Sequence, residues 1–209
     1  MGGFSRAGGV LAGLTMGLLL TVATNAGAQQ LERISVAGEH AILQTPGLQT
    51  TGASHPRLTI VEYFDYNCPF CRRLAPTLRA VLAQDHSLAL VYKDWPVLGE
   101  ASVYAAHCAL AAAYQGKYLQ AHDALLAGPR LTSDALVDTV LRRAGIDVPR
   151  MLSDLHQHAA AIAAVLQRND HEARALELQG TPGLLVGRTL VPGVIGKADL
   201  QKLIADTHG

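Results

Sequence analysis

The chain is poor in several things, and each shortage narrows its chemistry. It holds three cysteines in 209 residues. That is too few for a disulfide-stapled scaffold, which a chain of this length does not need. Each cysteine therefore requires its own explanation. Charge of either sign is not in excess, since 17 basic and 17 acidic residues cancel. This balance leaves no electrostatic footprint for nucleic acid or an acidic membrane surface. Internal repeats and low-complexity linkers are lacking. Long apolar runs are also lacking: the only candidate, residues 10–22, is short for a spanning helix of about 20 residues. Arg6 before this run, and Ala26 and Ala28 after it, give the order of a secretory signal peptide. Residues 1–28 are read as that peptide, with an uncleaved anchor as the alternative. After loss of Arg6, 16 basic residues face 17 acidic ones. The remainder is long enough for one domain with a real core. It is expected in the periplasm, where disulfides persist, without stable membrane insertion.

What is present is a change of periodicity along the chain. Residues 29–57 are mixed and contain Pro46, Gly47, Gly52 and Pro56. They read as an N-terminal arm with one short strand near residues 40–44. Leu-Thr-Ile-Val-Glu-Tyr-Phe at 58–64 is β-branched and aromatic, as a buried strand requires. Asn67 is a good N-cap for a helix starting at Cys68, with Pro69 in its first turn. Leu74, Leu78, Val81 and Leu82 continue that helix, and Pro76 should kink it. A second strand follows at 88–93. Helical pieces are expected at 100–114, 117–127, 133–144 and 149–179, the last broken near residues 156–160. A hairpin turns at Gly187-Arg188, and a helix at 197–206 closes the chain.

Strand, helix, strand implies a right-handed parallel crossover, and the hairpin can extend the same sheet. The expected fold class is α/β, with a mixed central sheet carrying helices on both faces. Residues 58–98 and 180–209 form the α/β unit. Residues 99–179 are too long for an ordinary connection and read as an inserted helical subdomain.

Cys68-Pro69-Phe70-Cys71 is a C-x-x-C pair, a pattern shared by redox and zinc sites. Its place at a helix start favours redox chemistry. Unpaired backbone N–H groups and the helix dipole stabilise a thiolate there. Cys68 is expected as the exposed attacking sulfur, and Cys71, deeper in the helix, as the resolving one. The two would form the redox-active disulfide. A stabilised thiolate favours the reduced pair and makes the disulfide a stronger oxidant.

Thr181-Pro182, before a short strand, is a candidate cis bond that would offer Thr181 backbone groups to a substrate. An ordinary trans turn is the commoner local reading, because only about one X-Pro bond in twenty is cis. Glu62 lies in the centre of a buried strand, where a carboxyl needs a partner. It can take a proton from Cys71, form an ion pair with Lys93 on the neighbouring strand, or do both. Phe70 is the best candidate for an exposed apolar contact to substrate. Of Tyr63 and Phe64, which alternate along the strand, one is expected in the core. Cys108, in an alanine-rich run, reads as a small buried hydrophobe. A zinc site on Cys68, Cys71 and Cys108 lacks a fourth ligand. No cofactor or metal is expected.

The segment from Glu62 to Arg72, Glu-Tyr-Phe-Asp-Tyr-Asn-Cys-Pro-Phe-Cys-Arg, resembles the active-site segment of the DsbA-like thiol:disulfide oxidoreductases. Gly180-Thr181-Pro182-Gly183 resembles that family's cis-proline loop. Asp94-Trp95-Pro96-Val97-Leu98-Gly99, with the alanine-rich helix that follows, is similar to the Com1-like and ScsC-like branches. The resemblance implies a thioredoxin fold with an inserted helical domain and a cis Pro182. It implies Cys68 as nucleophile, Cys71 as resolving thiol and Glu62 as an acidic relay. The strongly oxidising members carry His where this chain has Phe70, and Val where it has Thr181. Thr at that loop resembles the isomerase and reductase branches. The implied partners are unfolded or misoxidised secreted proteins and a DsbB-like or DsbD-like membrane redox protein. The alternatives are an isomerase or reductase of ScsC type, or a copper- or zinc-handling thiol module.

Overall fold

The computed structural model describes residues 1–2 and 31–207. From residue 3 onward, the expected signal peptide lies outside them. A five-stranded mixed sheet organises the rest, in the spatial order β1-β3-β2-β4-β5. Its strands are β1 (Gln49–Gly52), β2 (Leu58–Phe64), β3 (Leu88–Asp94), β4 (Gly183–Val186) and β5 (Thr189–Pro192). The central pair, β2 and β3, is parallel and runs from Leu58 opposite Leu88 to Phe64 opposite Asp94. The other neighbours are antiparallel.

The helices are α1 (Val36–Leu43), α2 (Pro69–Gln84), α3 (Glu100–Ala112), α4 (Tyr118–Ala127), α5 (Asp134–Arg143), α6 (Val148–Gln157), α7 (Ala159–Ala175) and α8 (Lys197–Asp206). Local signals set their ends. Ser133 and Asp147 cap α5 and α6 by accepting from the N–H groups of Leu136 and Arg150. His158 separates α6 from α7, inside the window where a break was expected. Helix α2 runs through Pro76 without interruption.

Because strands alternate their side chains, the two faces of the sheet carry different cores. Leu58, Ile60, Phe64, Leu90 and Leu184 pack with Leu74, Leu78 and Val81 of α2 and with Leu200 and Ile204 of α8. The same cluster continues through α3 to α6, so sheet and helical bundle share one hydrophobic core. Helix α3 lies at its centre. Ala105, Ala106, Cys108, Ala109, Ala111 and Ala112 are all buried, and their small side chains let neighbouring helices approach. The opposite face holds Val61, Tyr63, Val91 and Leu185 with Ile42 of α1, Trp95 and Ala173 of α7. Tyr63 and Phe64 are therefore both core residues, one per face, where only one was expected.

The segment 29–57 departs most from its expected form. Residues 40–43 of the expected strand are helix, because Ser35 caps α1 by accepting from the Gly38 N–H. The strand lies later, where Gln49–Gly52 adds to the edge of β3. Gly52 has φ +96°, and a Cβ there would collide with the Leu88 carbonyl oxygen, so only glycine fits.

Candidate active site

The site lies where β2 ends and α2 begins. Asp65 builds the corner. One carboxylate oxygen accepts from the Asn67 N–H at 2.7 Å and the Ser102 hydroxyl at 2.8 Å. The other accepts from the N–H groups of Val97 and Leu98, at 2.8 and 2.9 Å. Asn67 does not cap the helix, contrary to expectation. Its amide pairs with the backbone of Leu131, donating to the carbonyl at 3.0 Å and accepting from the N–H at 2.8 Å. Cys68 takes the N-cap position, and Pro69 stands first in the helix. Arg72, one turn in, donates to the carbonyls of Tyr66, Gly128, Leu125 and Pro129. The last three close the end of α4. A guanidinium at a helix C-terminus satisfies its orphan carbonyls and complements the dipole.

As N-cap, Cys68 Sγ accepts from the Cys71 N–H at 3.4 Å. The Cys71 side chain, which hydrogen-bonds to it, is the largest cause pulling the Cys68 thiol from 9.0 to about 5. Burial opposes the shift, while the Thr181 side chain and the Cys71 and Phe70 backbone support it. The Thr181 carbonyl, 3.1 Å away, accepts from the thiol form and acts against ionisation. Cys68 is not the exposed sulfur expected from the sequence: it is 3% accessible, with the 181–182 loop against it. The Thr181-Pro182 bond is cis, as the resemblance implied. Cys71 is fully buried. Burial, with the Cys68 sulfur and the Glu62 charge, pushes its thiol far above the ordinary range. All three cysteines are free thiols. Phe70 is half exposed, and the Arg73 guanidinium lies 4.5 Å from its ring centroid. Beside the cysteines, Asn67, Pro69, Arg72, Leu98 and Arg130 line a groove of about 600 Å³.

Glu62 is buried beneath α2, and neither carboxylate oxygen has a hydrogen-bond partner. Burial, then the charges of Cys68 and Asp94, raise it from 4.5 to about 8. The ion pair with Lys93 does not form. Lys93 stands opposite Tyr63, not Glu62, and so points to the other face. There its ammonium meets Glu172 at 2.8 Å and donates to Thr45 Oγ1 and the Ile42 carbonyl. Sequence reasoning missed Asp94 as a site residue, ending the second strand at residue 93, one short of the end of β3. It is buried, accepts from the Tyr118 hydroxyl at 2.7 Å, and is raised from 3.8 to about 7, chiefly by burial. Its place follows from the strand register, in which Asp94 stands two residues after Tyr92, the partner of Glu62. Cys108 is buried in α3, with its thiol pushed up to about 12 by burial. Among the described residues, no group of three or more His, Cys, Asp or Glu is placed to hold a metal, and no helix is long and apolar enough to cross a membrane.

Solved structures with this fold exist. A thioredoxin-like oxidoreductase from Silicibacter pomeroyi DSS-3 superposes with a TM-score of 0.77 at 32% identity, over 84% of this chain and 98% of that one. A periplasmic thioredoxin-like protein from Salmonella enterica serovar Typhimurium gives 0.69 at 27%, over 84% and 98%. The catalytic domain of Proteus mirabilis ScsC gives 0.72 at 26%, over 81% and 94%. Among curated proteins, the Na(+)/H(+) antiporter NhaA 3 of Salinispora tropica is 31% identical over 138 residues, 65% of this chain and 21% of that protein. The chain thus spans about a fifth of the length of the curated relatives it matches. The DSBA-like thioredoxin domain matches residues 59–205, from β2 through both cysteines and the cis-proline loop into α8. The chain belongs to this DSBA-like family, which carries thiol:disulfide oxidoreductase chemistry on a thioredoxin fold.

Proposed function

We propose that this chain is a periplasmic thiol:disulfide interchange protein that acts on secreted proteins through Cys68 and Cys71. The observation that carries the reading is the sulfur of Cys68, set as N-cap of α2 beside cis Pro182. In this reading the Cys68 thiolate attacks a substrate disulfide, forming a mixed disulfide and releasing one substrate thiolate. Cys71 then gives its proton to Glu62 and attacks Cys68. The Cys68–Cys71 disulfide forms, the second substrate thiolate leaves, and two electrons pass to the substrate. Run backwards, the same steps oxidise a substrate dithiol.

Thr181 supplies backbone groups, and Pro182 the wall, for an extended segment lying across Cys68. Phe70 and the adjoining groove meet apolar parts of unfolded or misoxidised proteins. A DsbB-like or DsbD-like membrane protein resets the pair. We read residues 58–98 and 180–209 as the thioredoxin unit and residues 99–179 as its insertion. The apolar run at 10–22 and the small residues after it support export, as does the likeness to a periplasmic protein.

The test is equilibration of the Cys68–Cys71 pair against glutathione, with parallel assays of insulin reduction and refolding of scrambled ribonuclease. A defined redox equilibrium and activity in at least one assay, both abolished by Cys68→Ser, are expected. A chain that exchanges with neither glutathione nor protein disulfides would refute the proposal.

A further inference from the structure

Two carboxyl groups lie under the active-site helix, and the thiol chemistry as described uses only one. In the parallel register, Glu62 faces Tyr92 and Phe64 faces Asp94. Alternation puts all four on the α2 side of the sheet, with Glu62 and Asp94 at diagonal positions close enough to interact. Both are 1% exposed. Both oxygens of Glu62 and Oδ1 of Asp94 lack hydrogen-bond partners. Only Asp94 Oδ2 is satisfied, by Tyr118.

The titratable groups facing the pair come from every element around it. Cys68 and Cys71 face Glu62 from α2. Tyr66 and Asp65 face Asp94 from the corner, and Tyr118 from α4. Tyr92 lies beside Glu62 on β3. His122 of α4 stands edge-on to Phe64, tilts against Tyr92 and approaches the Tyr66 hydroxyl at 3.4 Å. Burial holds it neutral, well below its usual range. The nearby arginines bear on other groups: Arg72 on Asp65 and Cys68, Arg79 on Tyr92 and His122. Two desolvated carboxyls without a cation do not both ionise in the neutral range.

We propose that Asp94 is a positioning residue for the thiol chemistry: Asp94 and Glu62 share a single negative charge beneath α2, and Asp94, held by Tyr118, sets when Glu62 is free to take the Cys71 proton. The inference rests on the functional reading above. In the resolving step, the S–H bond of Cys71 breaks and its proton moves to the Glu62 carboxylate. The new thiolate attacks Cys68 of the mixed disulfide, a sulfur–sulfur bond forms between the cysteines, and the substrate thiolate departs with the electron pair. A charge resting on Asp94 keeps Glu62 protonated and delays this step to higher pH.

The experiment prepares the full chain with Cys68 in a mixed disulfide with glutathione and follows glutathione release in single turnovers from pH 5 to 9.5. Protonated-carboxyl infrared bands are titrated in parallel on the reduced chain. Asp94→Asn is expected to lower the pH midpoint of release, and that of the Glu62 band, by about one unit. Glu62→Gln abolishes that dependence. Tyr118→Phe weakens Asp94 as an acid, returns charge to Glu62, and lowers the midpoint in the same direction by less. It also serves if Asp94→Asn does not fold. Asp94→Asn, or Tyr118→Phe in its place, changing stability while leaving both midpoints where they were would overturn the proposal. Wild-type protein that forms no mixed disulfide at Cys68 would overturn the functional reading and the role toward Cys71. The infrared titration would then decide the shared charge alone.

Discussion

Replacing Glu62 with Gln should stabilise the protein at neutral pH, by an amount that grows with pH. A carboxyl raised in the fold leaves the unfolded chain free to ionise first. Its cost is absent below the ordinary value of 4.5, grows as pH rises, and levels off above about 8. At 1.36 kcal/mol per unit of pKa, that window caps the cost at about 5 kcal/mol. Burial, the largest cause, remains when the cysteines are oxidised, whereas the Cys68 charge is removed, so roughly 3 kcal/mol is expected there.

The disulfide form is the one to measure, because the reduced protein carries an opposing slope. Cys68 is depressed from 9.0 to about 5 in the fold, so its stabilisation accrues as pH rises between those values and is lost as pH falls through about 5. Urea unfolding of oxidised wild-type and Glu62→Gln protein from pH 4 to 9 should give curves that diverge from pH 4.5 up to a limit below pH 8, because the Cys68 charge is gone, with the variant increasingly the more stable. Gln adds an offset that does not vary with pH. Parallel curves across that window would show that Glu62 does not sit desolvated and unpaired, and the reasoning would fail.

Three further outcomes are expected. Lys93→Met strands the Glu172 carboxylate and should cost about 3–5 kcal/mol in urea unfolding. Adding Glu172→Leu should recover most of that, and a double variant as unstable as the single one would count against the pairing. Asn67→Ala removes both bonds to the Leu131 backbone and should cost about 1–3 kcal/mol, with faster amide exchange at Leu131. Unchanged exchange there would mean that the pairing does not hold the corner. Phe70→Ala, at a half-exposed position, should change stability by less than about 0.5 kcal/mol while raising KM for an apolar peptide disulfide. An unchanged KM would remove Phe70 from the substrate contact.

The legible parts of the fold were those set by neighbours in sequence. β2, α2, β3 and the hairpin each carry their own periodicity, and the breaks fall at Gly116, Gly145 and His158. Segment 29–57 was misread because its structure depends on partners. Gln-Thr-Thr-Gly has no apolar alternation and becomes β1 only by pairing with β3. The cysteine pair and the proline loop were visible as motifs, but what covers Cys68 was not. That depends on a loop 113 residues away in the chain. The Lys93 assignment failed on parity: residue 93 pairs with 63 in the parallel register, and one step along a strand reverses the face. Asp94 was hidden for the same reason, since its importance follows from its register with Phe64.

The central claim is that Cys68 is held as an anion where α2 begins, and the rate of iodoacetamide alkylation of Cys68 in the reduced protein, followed by mass spectrometry from pH 3.5 to 10, tests it most directly. The account expects a single ionisation near pH 5, with Cys71 unreacted throughout because it is fully buried and its thiol is held protonated. A midpoint near 9, the value of an ordinary thiol, would contradict it.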